Sequence, residues 1–313
     1  MQITETLHTN KEIVAEFVEE LTNRHNPDAW QMYCAEDFRH HFNLPNIPSG
    51  CDGVEQLSRA ILTAFPDVHV TMDLLLQEGD TVVERATATG THAGEFIGIA
   101  PTGQRLQWTE AHTYRLRDGK IVEHFPEIRL EMLLAQVAGR KDYFQAPRRS
   151  GLSRIIALAM SAASGFYRPP LDRHIPYECQ RQERNRTVVA RYIEDFKNQQ
   201  KFLVFPQLFA ADFRHHFNFP ALPHTMETFI SVGQNFLAAF PDVRVEVQDI
   251  LVDGAYVVER NQVRATHKGT FAGIKATGRA VNWTETHIYR LKDGKIVENW
   301  PLVNFERILA QIR

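Results

Sequence analysis

Cysteine is scarce in this chain, with three in 313 residues: Cys34, Cys51 and Cys179. An odd, widely spaced set makes no disulfide framework and has no metal-ligand spacing, so a reducing, cytoplasmic setting is expected. Charge of one sign is also missing. A formal charge of −3 leaves no electrostatic footprint for nucleic acid or an anionic membrane. The most apolar stretch, LSRIIALAMSAASGFY at 152–167, is short and interrupted by Arg154. A membrane span needs about 20 apolar residues, so a docked or surface-lying helix is expected there. The opening MQITETLHTNKEIV has neither the basic n-region nor the apolar h-region of a secretion signal, and none is expected. The glycine-flanked loop 98–103 lacks the strand-loop-helix setting of a phosphate cradle. No Ser-His-Asp or Cys-His arrangement is readable. Adjacent His40 and His41 point to opposite faces of a strand and cannot chelate together, so no metal is expected.

What the chain does have is a repeat. DFRHHFN at 37–43 returns at 212–218, an offset of 212 − 37 = 175. The same offset aligns FPDV at 65–68 with 240–243, VVER at 82–85 with 257–260, and WTEAHTYRLRDGKIVEHF at 108–125 with WTETHIYRLKDGKIVENW at 283–300. Two copies with so long a period make a fused pair of domains, not a solenoid. The expected division is one domain over 1–137, a linker with a short apolar helix over 138–180, and a second domain over 181–313.

Helical spacing places Ile13, Val14, Phe17, Val18 and Leu21 on one stripe, with a capping box between Thr9 and Glu12. Further helices are expected near 28–35 and 53–64, strands near 67–77 and 81–92, and a short closing helix at 130–137. Helices followed by a run of antiparallel strands make an α+β pattern. In the 108–125 segment two alternating runs flank Asp118-Gly119, the strongest short-range hairpin signal. Counting back from Arg117 opposite Lys120 pairs Tyr114 with Glu123, His112 with Phe125, Glu110 with Glu127 and Trp108 with Arg129. One face then carries Trp108, Glu110, His112, Tyr114, Glu123, Phe125, Glu127 and Arg129, a mixture suited to a pocket wall. The other carries Thr109, Ala111, Thr113, Val122 and Ile128, with Arg115 and His124. Solvent-facing turn chemistry is the expected role of His92 and His267.

Three motifs together, FPDV at 65–68, THAGEFIGIAPTG at 91–103 and DGKIVEH at 118–124, resemble the SnoaL-like polyketide (ester) cyclase family of the NTF2-like superfamily. The second copy matches at 240–243, 266–278 and 293–298. The resemblance implies two α+β cones in tandem, helices packed on a curved sheet around a hydrophobic pocket. The two repeats would pair with each other as an intrachain pseudo-dimer. It also implies cofactor-free aldol closure of a polyketide ester, with a pocket Asp moving the proton. At the position that matches that Asp this sequence has Arg129 and Asn304, neither of which can act as a carboxylate base.

The candidates for proton transfer are therefore His112 with Glu110, and His287 with Glu285. Arg129 is a candidate for stabilising an enolate, and Asn304 for donating a neutral hydrogen bond. Each histidine could equally be a hydrogen-bonded core residue, and each glutamate an ion-pair partner. His41, Asn43, Trp108, Tyr114 and Phe125 are candidate pocket residues, as are His216, Asn218, Trp283, Tyr289 and Trp300. Two functions stay open. One is an acid–base enzyme of the cyclase, isomerase or hydrolase kind acting on a hydrophobic, carbonyl-bearing small molecule. The other is a non-catalytic binding protein whose pockets have lost the family's Asp. A third, intermediate reading keeps one active pocket and one structural copy.

Overall fold

A computed structural model describes residues 9–41, 48–96, 98–128, 133, 136–137, 177–216 and 222–313. The chain divides into two compact units, Met1–Lys141 and Asp142–Arg313. Asn43, Arg129, Asn218 and the linker helix lie outside the described residues, and of the closing helix near 130–137 only 133, 136 and 137 are described.

The first unit opens with α1 (Asn10–Val18), where the Thr9 hydroxyl accepts from the Glu12 amide and the Glu12 carboxylate accepts from the Thr9 amide. That reciprocal cap satisfies two backbone donors at the helix start. Its apolar stripe buries Ile13, Val14, Phe17 and Val18. The helix then widens into a π turn over Glu19–Asn23. The Asn23 side chain bonds both the amide and the carbonyl of Val70, which pins this turn to the sheet. A short α2 (Ala29–Tyr33) leads into β1 (Cys34–His40), and α3 (Cys51–Ala64) precedes β2 (His69–Glu78), β3 (Thr81–Thr91), β4 (Arg105–Arg117) and β5 (Lys120–Ile128).

The strands lie in the order β1-β5-β4-β3-β2. The sheet is mixed, not wholly antiparallel as the sequence pattern suggests, because β1 runs parallel to β5. The second unit repeats the plan. Its α4 (Tyr177–Arg191) passes into a longer π segment, Tyr192–Asn198, and is followed by α5 (Phe205–Leu208), β6 (Phe209–His215), α6 (Met226–Ala239), β7 (Arg244–Asp253), β8 (Tyr256–Thr266), β9 (Ala280–Lys292), β10 (Lys295–Val303) and α7 (Phe305–Ile312). Because α4 starts at Tyr177, helix occupies the last residues assigned to the linker.

The Asp118-Gly119 turn forms as expected, with φ of 51° and 73°. The register beyond it does not. Leu116 pairs with Ile121 but Arg115 pairs with Glu123, so Val122 is an extra residue, a β-bulge. Tyr114 consequently faces His124, His112 faces Pro126 and Glu110 faces Ile128. Val297 is the matching extra residue in the second unit. One residue of slip moves every later side chain to the other face. Glu123, Phe125 and Glu127 thus leave the face assigned to them, and His124 joins it.

Candidate active site

In the first unit one face of the sheet and helices α1 to α3 line a partly open chamber of about 110 Å³. By that measure one water fills about 10–15 Å³, so the space suits several waters or one small apolar body. Its polar wall is Glu84, Glu110, His112, His124 and His40, and its apolar wall includes Phe17, Trp30, Val54, Ile61, Trp108 and Tyr114. Strand alternation places Trp108, Glu110, His112 and Tyr114 side by side on one face of β4.

Each polar group has a defined neighbour. Trp108 donates its indole N–H to Glu110 Oε2 at 3.0 Å. His112 Nε2 stands 3.5 Å from Glu110 Oε1, each side chain about 13% exposed. The other nitrogen of His112, Nδ1, lies 2.7 Å from His124 Nε2, and His124 Nδ1 lies 3.0 Å from His40 Nδ1. These three imidazoles form a continuous chain from the chamber into the core. The Tyr114 hydroxyl donates to Glu84 Oε2 at 3.0 Å.

Electrostatics sorts them. Burial pulls His112 down, but the hydrogen bond and charge of Glu110, with Glu84 and Glu127, more than offset it and hold the imidazole above its usual range. Burial, then the charge of His112, pushes His124 well down and takes His40 to about 3. Of the three imidazoles His112 holds a second proton most readily, and the hydrogen-bond directions follow. His112 donates from Nδ1, and His124 accepts at Nε2 and donates at Nδ1 to His40. Burial raises Glu84 to about 7, which suits a group that exchanges protons near neutrality.

The second unit keeps the acids and His287 but not their setting. Lys197, at 197 − 22 = 175 from Thr22, extends from the π segment and bonds Glu259, and also Glu285 Oε1 at 2.9 Å. Burial opposes the charge on Glu285, but Lys197 and then His287 hold it ionised, well below the carboxylate range. Glu259, Glu285 and His287 lie close enough to share a metal ion, yet the lysine ammonium already bridges the two carboxylates. His124 is replaced by Asn299, whose amide nitrogen is 3.5 Å from His287, so the imidazole chain is cut. Phe196, Phe229 and Phe236 stand where Leu21, Val54 and Ile61 line the first chamber, and all three pack in the second core.

Several expectations need correction. Phe125 does not line the chamber; it stacks on His41 with ring centroids 4.0 Å apart. His41 also bonds Glu123 at 3.1 Å, on the opposite side of the sheet. His216 stacks likewise on Trp300 at 4.7 Å and bonds Glu298 at 2.9 Å. All four leave the pocket list, because the bulge turns β5 over and because β1 points Phe38 and His40, not His41, inward. The Asn304 side chain caps α7, its Oδ1 accepting from the Arg307 amide at 3.0 Å. His92 and His267 are fully buried, not solvent-facing, each bonded to a threonine, Thr102 and Thr277. Trp283 and Tyr289 sit in the second core, and Tyr289 bonds Glu259 at 2.8 Å.

The family model of SnoaL-like polyketide cyclases matches residues 12–137 and again 187–312. The chain belongs to that family, in two tandem copies. Each copy is an NTF2-like α+β domain. Solved structures similar to it include AclR from Streptomyces galilaeus, at 32% identity over 42% of this chain and 96% of that one, with a TM-score of 0.38. IdmH from Streptomyces antibioticus is similar at 29% identity, over 42% of this chain and 99% of its own, with a TM-score of 0.37. TsrD from Streptomyces laurentii is similar at 25%, over 42% and 98%, with a TM-score of 0.38. No functionally curated protein matches the chain. Among the described residues no helix is long and apolar enough to cross a membrane.

Sequence reasoning missed Glu84, His40, His124 and Lys197. Glu84 and Glu259 lie inside the repeated VVER motif, which alignment found but no chemistry singled out. The lysine was discoverable only by asking where the copies differ.

Proposed function

We propose that the first copy is a cofactor-independent acid–base catalyst of the cyclase or isomerase kind, acting on a small hydrophobic molecule that carries an enolisable carbonyl. Glu110 takes the proton next to the carbonyl, and the C–H electrons move onto the carbonyl oxygen. His112, beside it on the strand, donates a hydrogen bond to that oxygen and keeps its own proton; when the enolate carbon adds to a second carbonyl, Glu110 gives the abstracted proton to the new alkoxide oxygen. The 3.5 Å contact between the two is longer than an ordinary hydrogen bond, so a substrate oxygen can take its place. His124 and His40 act as positioning residues that hold the His112 ring through its Nδ1.

The observation that carries this reading is His112 set between Glu110 and the His124–His40 pair in a chamber with apolar walls. For the second copy, neutralisation of Glu259 and Glu285 by Lys197 favours a supporting, non-catalytic role. Steady-state assays on a panel of enolisable ketones and esters test both statements. His112→Ala should lower turnover by about 10²-fold or more, and His287→Ala should leave it unchanged. Turnover that survives in His112→Ala and in Glu110→Gln would remove the assignment.

A further inference from the structure

We propose that the first chamber seats an organic ammonium group between Glu84 and Glu110, where the second copy holds the ammonium of its own Lys197. The inference rests on the first chamber being the working site, and it names the class of ligand that site takes.

The duplication supplies two versions of one arrangement. In the second copy Lys197 Nζ bridges Glu259 and Glu285 and lies 5.8 Å over the Tyr192 ring, a cation held by two carboxylates and an aromatic face. The lysine side chain is only 10% exposed. In the first copy both carboxylates are kept as Glu84 and Glu110, and the ring is kept as Phe17. The lysine alone is gone, replaced by the shorter Thr22, and all four residues line the chamber.

Glu84 is 1% exposed, and its Oε1 has no hydrogen-bond partner. In the second copy Lys197 bonds the carboxylate oxygen that Tyr289 also bonds, Glu259 Oε1, and leaves Oε2 without a partner, so the matching place for a cation in the first copy is the Tyr114-bonded oxygen, Glu84 Oε2. His112 does not fill that place. It stands 3.5 Å from Glu110, and His287 stands at nearly the same distance, 3.4 Å, from Glu285 with the lysine already seated. The walls around the acids, Trp30, Val54, Ile61 and Trp108, call for an apolar body, so the ligand is an alkyl or arylalkyl amine in its protonated form. A bare metal ion fits less well: among the described residues only Glu259, Glu285 and His287 converge closely enough to ligate one.

Calorimetric titration of the full-length protein at pH 7 with benzylammonium, benzyl alcohol and benzoate tests the inference. Benzylammonium should bind at least about 10-fold more tightly than benzyl alcohol, and benzoate not measurably. Thr22→Lys, which gives the first copy the cation of the second, should abolish benzylammonium binding. Should that variant fail to fold, the wild-type comparison still decides, with Glu84→Gln expected to lose about 10-fold or more. Equal affinity for the alcohol and the ammonium overturns the inference, as does ammonium binding that persists in Thr22→Lys. Carbonyl turnover that depends on His112 while benzylammonium fails to bind would remove the ammonium site and leave the acid–base reading standing. Benzylammonium binding without such turnover would do the reverse.

Discussion

Replacing Lys197 by methionine isolates the ion pairs that distinguish the second copy. The ammonium contacts Glu259 and lies 2.9 Å from Glu285, with Glu259 itself fully buried. Methionine keeps most of the volume and removes the charge, leaving two buried carboxylates without their cation. Breaking a buried pair in this way costs about 3–5 kcal/mol. With a urea slope of about 2 kcal/mol/M, the unfolding midpoint of the second unit should fall by about 2 M. The two units need not unfold together, so hydrogen exchange read by mass spectrometry on peptides from each half is the appropriate assay. Only peptides of the second half should lose protection.

The pH dependence gives a second handle on the same variant. Glu285 has its folded pKa depressed, so its contribution is present above the ordinary carboxylate pKa near 4.5 and is lost as pH falls towards the folded value. The difference between wild type and Lys197→Met should therefore shrink below about pH 4.5. Adding Glu259→Gln and Glu285→Gln to the methionine variant should restore most of the loss, since the uncompensated charges are then gone. A destabilisation below about 1 kcal/mol, or one independent of pH, would refute the reasoning.

Three further outcomes are expected. Glu84 rises from 4.5 to about 7 in the folded state, a difference of 2.5 units or about 3 kcal/mol. Its contribution is full below pH 4.5 and is lost as pH rises through about 7, so Glu84→Gln should flatten that part of the stability profile of the first unit, as followed by urea titration. In an NMR titration the His124 ring signals, assigned with His124→Gln, should not move near pH ~6.5, because burial holds this imidazole well below that range; normal titration would place the ring on the outer face and remove the bulge. Asn304→Ala should cost about 1 kcal/mol in the second unit through loss of the α7 cap, read from thermal unfolding, with no change in turnover.

The sequence carries the fold through signals that are local. A capping box at Thr9 and Glu12, an Asp-Gly turn with positive φ, and an apolar stripe at helical spacing each act within a few residues. The duplication multiplies their weight, and the NTF2-like domains follow. The site is less legible because its geometry depends on terms that no local pattern encodes. Nothing in IVEHF announces that Val122 stands out of the ladder, yet that one residue decides whether Phe125 or His124 enters the chamber. The DFRHH strand offers two adjacent histidines, and only the parallel pairing of β1 with β5 makes His40 the inner one. Alignment of the copies drew attention to identical residues, whereas Thr22 and Lys197, Val54 and Phe229, and His124 and Asn299 differ, and these separate an open acid–base chamber from a neutralised core.

The bulge also explains how so many ionisable groups share one chamber. In an unbroken register Tyr114 would face Glu123 and Glu110 would face Glu127, and two more carboxylates would enter beside Glu84 and Glu110. Four acids would then compete around one imidazole, and burying an unpaired carboxylate costs several kcal/mol. The extra residue at Val122 instead turns Glu123 outward, where Arg115 Nη1 reaches it at 2.8 Å and His41 at 3.1 Å, and brings His124 inward to accept the His112 proton at 2.7 Å. One inserted residue thus exchanges a buried charge for a neutral acceptor. The second copy keeps the bulge at Val297 but has Asn299 inside, so it keeps the exclusion of Glu298 from the core and lacks the acceptor imidazole. What the two copies share is the device that keeps a further acid out, and what they do not share is the proton chain built behind it.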